Sequence, residues 1–175
     1  MSGGAFEHLK ALVVEDNPHM RELLKSLLHA LGITAVFEAT DGQGAFSLLR
    51  DKEPDLILTD LTMTPMDGLA FVREVRKSND SPNPYVPIIM VTGHTEKHRI
   101  EAARDCGVTE VLAKPITARY LIQRVAEIVN RPRAFVRSAD YFGPDRRRRA
   151  TPEFMGPFRR LDDADDIAVA DAGRG

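Results

Sequence analysis

Cysteine is almost missing from this sequence. Cys106 stands alone, so no intramolecular disulfide can form and a reducing compartment is the natural setting. Long apolar runs are missing too. No stretch approaches the roughly 18 consecutive apolar residues that a membrane-spanning helix needs. The opening Met1-Ser2-Gly3-Gly4 lacks the charged-then-apolar layout of a secretory signal. Net charge is slight, −2 over 175 residues, so no global field draws the chain to nucleic acid or a membrane surface. These absences lead us to expect a cytoplasmic protein with no membrane insertion. What is present is ample core material: 43% of residues are hydrophobic and 29% charged, enough for one domain and an extension.

That material is arranged as short apolar runs alternating with helical patterns. Lys10 to Val14, Ala35 to Ala39, Leu56 to Asp60, Ile88 to Val91 and Val111 to Ala113 read as strands, being apolar or β-branched and bounded by turn signals. Between them, Asn17-Pro18 offers a helix cap and first residue. Met20, Leu23, Leu24, Leu27, Leu28 and Leu31 then share one helical stripe up to Gly32. Further helices are expected over Gln43 to Arg50 and Gly68 to Arg76, with Leu69, Val72 and Val75 inward, and over Glu96 to Asp105, closed by Gly107. A last helix starts near Thr117 and buries Leu121, Ile122, Val125, Ile128 and Val129, while Ser78 to Pro87 is a proline-rich loop. Strict β–α alternation calls for an α/β fold, a doubly wound five-stranded parallel sheet covered on both faces.

In such a sheet the strand carboxyl ends share one edge. Glu15-Asp16, Asp60, Thr92-Gly93 and Lys114-Pro115 each close an apolar run, so three acids, a hydroxyl and a lysine would converge there. Three close carboxylates repel unless a cation joins them, and Mg2+ suits oxygen ligands beside a phosphoryl group. A carboxylate such as Asp60 can also act as a phosphoryl acceptor. Singly, an acid after a strand is often just a helix cap. Five such residues closing four successive runs are harder to dismiss.

Glu15-Asp16, Asp60 with Met66-Asp67-Gly68, Thr92-Gly93 and Lys114-Pro115, taken with the βα order, resemble a CheY-type receiver domain of two-component response regulators over residues 8–130. The resemblance implies a flavodoxin-like fold in which Asp60 accepts phosphate from a histidine kinase. Glu15, Asp16 and Asp60, with Thr62 as a fourth candidate, would hold Mg2+. Thr92 and Lys114 would sense the phosphate, and the Lys114–Pro115 bond would be cis. Two positions depart from the family pattern. Thr64 takes the place of a proline, and Val111 takes the place of an aromatic switch residue three before the lysine. The inward swing of an aromatic ring therefore has no counterpart here.

From Arg131 to Gly175 the hydrophobic periodicity disappears. Arginines accumulate up to Arg160, and five aspartates follow between Leu161 and Gly175. A segment so poor in buried apolar surface is expected to be largely disordered by itself. Within it, Tyr141-Phe142-Gly143-Pro144-Asp145-Arg146-Arg147-Arg148-Arg149 unites aromatic, carboxylate and guanidinium groups. Arginine reads guanine O6 and N7 and stacks on the ring, while a carboxylate can accept from N1 and N2. Here the chain resembles the Cle proteins, CheY-like regulators whose arginine-rich C-terminal segment binds cyclic di-GMP. That implies cyclic di-GMP binding through Arg137, Tyr141, Asp145, Arg146, Arg147, Arg148 and Arg149, followed by contact with a flagellar motor switch protein. We therefore expect a non-enzymatic signalling adaptor. The alternatives are an ordinary phospho-accepting receiver with an inert tail, or an RNA-binding regulator acting through the tail. A phosphatase is a further reading, disfavoured by the lack of a cap insertion. No helix-turn-helix pattern follows Asn130, so no DNA partner is expected.

Overall fold

The computed structural model describes residues 5–146. Five strands, β1 (Lys10–Val14), β2 (Ala35–Ala39), β3 (Leu56–Asp60), β4 (Ile88–Thr92) and β5 (Glu110–Ala113), form one parallel sheet in the order β2-β1-β3-β4-β5. Between and after them come α1 (Pro18–Ala30), α2 (Gly42–Lys52), α3 (Gly68–Lys77), α4 (Lys97–Cys106) and α5 (Ala118–Asn130). The five-stranded, doubly wound α/β architecture read from the sequence is the one observed.

Side-chain alternation along the strands builds two cores. Leu12, Val14, Ile57, Ile88 and Met90 face α2, α3 and α4, packing with Leu49, Phe71, Val72 and Val75. Ala11, Val13, Leu56, Leu58, Ile89 and Val91 face α1 and α5, packing with Leu24, Leu28, Leu121 and Val125. A strand buried on both faces needs apolar residues at both parities, which is why β3 and β4 are nearly continuous apolar runs.

The helix starts behave as their sequences require. The side chains of Asn17, Asp41, Asp67 and Thr117 accept backbone N–H bonds from the first turns of α1, α2, α3 and α5. Gly107 ends α4 at φ 101°. Two expected core residues are instead on the surface. Leu23 is 42% and Ile122 43% exposed, because each lies at the solvent edge of its apolar stripe.

Of the extension expected to be largely disordered, residues 131–146 carry ordered structure, and 147–175 lie outside the described residues. Phe135–Arg137 (β6) and Phe142–Pro144 (β7) pair as an antiparallel hairpin that packs on the domain. The reason is a buried cation. Arg76, at the end of α3, donates to the carbonyls of Gly107, Pro84 and Val86 at 2.9, 2.7 and 2.7 Å. Its guanidinium lies 5.1 Å from the centre of the Phe135 ring. Phe135, Phe142 and Tyr85 pack ring against ring at 5.1 to 5.6 Å. Burial pushes the Arg76 pKa down to about 10. The aromatic cover thus shields a charge that the domain has already half enclosed.

Candidate functional site

β1 and β3 are neighbours at the point where the strand order reverses, and ligands of open α/β sheets bind outside such a point. Glu15 and Asp16 follow β1, and Asp60 is the last residue of β3. One carboxylate oxygen from each lies within 4.8 Å of the others. Lys114, just past β5, places its Nζ 3.2 Å from Glu15 Oε2 and 3.3 Å from Asp60 Oδ1. Parallel strands in register achieve this, since Thr92 pairs with Ala113 and Asp60 with Val91.

Each side chain is held by local structure. Glu15 Oε1 accepts from the Asn17 N–H at 3.1 Å, and Arg21 donates to the Glu15 carbonyl at 2.8 Å. Asp60 Oδ1 accepts from the Leu61 N–H at 2.8 Å. The turn behind Asp60 closes when Gly68 N–H donates to Leu61 O at 2.9 Å. A Cβ at Gly68 would collide with the Asp60 carbonyl, so only glycine fits the start of α3 there. Thr92 is buried, and its Oγ1 accepts from the His94 N–H at 3.0 Å. The Lys114–Pro115 bond is cis, as is Thr64–Pro65.

The electrostatics fit a hard divalent cation. Three carboxylates face one ammonium, and only Asp16 of the three is exposed. Burial, followed by the charge of Asp60, raises the Glu15 pKa despite the opposing pull of the Asn17 N–H and Lys114. A buried acid pushed toward its neutral form is a ligand short of positive charge. Glu15, Asp16 and Asp60 form an acidic pocket for Mg2+, which supplies Lewis-acid screening of a phosphoryl group when bound. Thr62 lies exposed in the turn two residues beyond Asp60.

The residues expected to bind cyclic di-GMP lie elsewhere. The hairpin meets the opposite edge of the sheet: Arg133 pairs at 2.6 Å with Glu110, the first residue of β5, whereas Lys114 follows its last. Four strand residues separate the two sites, about 13 Å. The Arg146 guanidinium stacks 4.3 Å over the Tyr141 ring and pairs at 2.8 Å with Asp105 at the end of α4. The Tyr141 hydroxyl donates to Pro144 O at 2.8 Å, and burial raises its pKa. Asp145 N–H donates to Ala134 O, and Arg137 stacks 4.4 Å over Phe142. Arg147, Arg148 and Arg149 lie outside the described residues. Sequence reading missed Arg76, Asp105, Glu110 and Arg133, which anchor the hairpin. The available signal was a pair of three-residue strands around a polar turn, too short for hydrophobic periodicity to register.

Comparison with known proteins agrees with this geometry. The family model for the response regulator receiver domain matches residues 11–126. The chemotaxis protein CheY of Pseudomonas aeruginosa is 35% identical over 123 residues, spanning 70% of this chain and 98% of that protein. Chemotaxis protein CheY-3 of Vibrio cholerae is 31% identical over 125 residues, spanning 71% and 95%. Among solved structures, the receiver domain of Francisella response regulator 1452 superposes with a TM-score of 0.63 at 27% identity, covering 71% of this chain and 98% of that one. For Vibrio cholerae CheY4 the TM-score is 0.62 at 28% identity, covering 69% and 98%. No helix among the described residues is long and apolar enough to cross a membrane. The chain belongs to the response regulator receiver family, of the CheY-like, phospho-accepting type.

Proposed function

We propose that this protein is a non-enzymatic signalling adaptor with two inputs: phosphorylation of Asp60 and binding of cyclic di-GMP by the arginine-rich segment. Its output is contact with a partner, a flagellar motor switch protein being the candidate. The phosphoryl input is supported by the meeting of Glu15, Asp16, Asp60 and Lys114 at one strand edge. An Asp60 carboxylate oxygen attacks phosphorus on the phosphohistidine of a kinase. The P–N bond breaks, the imidazole nitrogen regains a proton, and an aspartyl phosphate remains. We assign Lys114, 3.3 Å from Asp60, and the Thr92 hydroxyl to the transferred group.

The observation that carries the nucleotide input is the stack of Arg146 on Tyr141, next to Asp145, at the open end of a hairpin fixed to the domain. These are the groups that recognise a guanine face and its hydrogen-bonding edge. They are pre-placed, which lowers the entropy cost of binding. Calorimetry of the full chain with cyclic di-GMP, with cyclic di-AMP as base control, tests it. Heat with the guanine dinucleotide alone, lost in Arg146→Ala and Arg147→Ala, is the expected result. No heat with wild type retires the nucleotide input. Labelling by acetyl phosphate with Mg2+, absent in Asp60→Asn, tests the other input independently. Co-precipitation with a motor switch protein, strengthened by cyclic di-GMP, tests the output.

A further inference from the structure

The hairpin does not lie flush against the domain. Between it, α4 and β5 runs a narrow cleft lined by Arg104, Glu110, Val111, Arg133, Pro144 and Arg146, among others. Three guanidinium groups reach it from three separate segments. Arg104 comes from the last turn of α4, Arg133 from the link after α5, and Arg146 from the end of the hairpin. Among the described residues the one carboxylate in the lining is Glu110, which is buried and takes one N–H of the Arg133 fork at 2.6 Å. A guanidinium has five such donors, so this bond orients Arg133 without exhausting it. Among the described residues the lining therefore carries more guanidinium than carboxylate groups, with Arg133 held by Glu110 and Arg146 by Asp105.

Size decides what can enter. The cleft, open on one side, has a volume of about 30 Å³, room for about two water-sized guests. A purine ring does not fit, but the oxygen edge of a phosphate does. At the rim, the Tyr141–Arg146 stack offers the flat surface that the cleft lacks.

We propose that this cleft is the phosphate half of the nucleotide site: Arg104 and Arg133 receive a phosphate of cyclic di-GMP while Tyr141 and Arg146 hold a guanine face. The inference rests on the nucleotide input proposed above and adds the receiver's own surface to the site. Planar guanidinium groups meet phosphate oxygens in charge-assisted pairs, and Arg104 on α4 and Arg133, held by Glu110 of β5, need little ordering to do so. Val111 belongs to the recognition surface because a small side chain keeps the cleft open where an aromatic one would fill it. The ligand would then join α4 and β5 to the hairpin.

The test is titration of the full-length protein with cyclic di-GMP, comparing wild type with Arg104→Gln, Val111→Trp and Arg146→Ala, each checked by thermal melting. We expect Arg104→Gln and Val111→Trp each to weaken binding about tenfold or more, with melting temperatures close to wild type. Val111→Trp removes no charge, so its effect reports occupation of the cleft rather than loss of a cation. If both variants bind like wild type while Arg146→Ala does not bind, the arginine segment holds the nucleotide without the cleft. This inference then fails and the adaptor reading stands. Absence of binding by wild type overturns the adaptor reading first and this one with it.

Discussion

Lys114 Nζ lies 3.2 Å from Glu15 Oε2, although 99 residues separate the two in sequence. The same ammonium is 3.3 Å from Asp60 Oδ1, so a single cation holds together two carboxylates that would otherwise repel. Glu15 is almost wholly buried and cannot recover solvation if the lysine is lost. Lys114→Ala should destabilise the cation-free protein by about 2 kcal/mol, the cost of leaving a buried charge without its partner. Urea unfolding with and without Mg2+ checks this, and Mg2+ should recover part of the loss.

The raised Glu15 pKa gives stability a pH dependence of known sign. The folded state holds this proton more tightly than the unfolded chain. The contribution is therefore complete below the ordinary value of 4.5 and disappears as pH climbs through the raised value. Mg2+ binds the ionised form and offsets the loss. Added Mg2+ should raise the melting temperature more at pH 7.5 than at pH 4.5, as measured by differential scanning calorimetry. Equal shifts at both pH values would refute the assignment of Glu15 to the cation site.

Gly107 ends α4 and also touches the hairpin. At φ 101°, a Cβ would lie 2.9 Å from Phe142 O and 3.1 Å from Arg76 Cγ. Gly107→Ala should cost roughly 1–3 kcal/mol through left-handed backbone strain and crowding. Hydrogen exchange should show faster opening of β6 and β7 before any change in the central strands.

Truncation after Asn130 removes the cover over Arg76 and the site of Phe142, which is 7% exposed in the full chain. Burial of one such aromatic side chain stabilises by about 1.5–3 kcal/mol. A chain ending at Asn130 should lose about that much stability relative to one ending at Arg146, by urea denaturation. Equal midpoints would mean that the hairpin contributes nothing to the domain.

Most of the fold and the acidic pocket was legible in the sequence, for a local reason. β3 is written as Leu56-Ile57-Leu58-Thr59-Asp60, an apolar run ending in one acid, and α1 as Asn17-Pro18 followed by a leucine stripe. Both signals are complete within about four helical turns or less of contiguous sequence. Parallel topology then forces Glu15, Asp60, Thr92 and Lys114 to one edge, because every strand ends there. The hairpin could not be found that way. Phe135–Arg137 and Phe142–Pro144 are too short to display a period, and their composition matches that of a solvated tail.

By itself, then, the sequence determined the sheet, its helices and the chemistry at the carboxyl ends of the strands, since alternation and capping act between near neighbours. Tertiary structure alone decided that Arg76 would be buried with carbonyls and an aromatic ring as its partners, that Arg133 would pair with Glu110 at the start of β5, and that Arg146 would meet both Tyr141 and Asp105. Except for Tyr141 with Arg146, these pairings join residues far apart in the chain, and the partners offset the cost of taking a cation out of water, which no single segment can do.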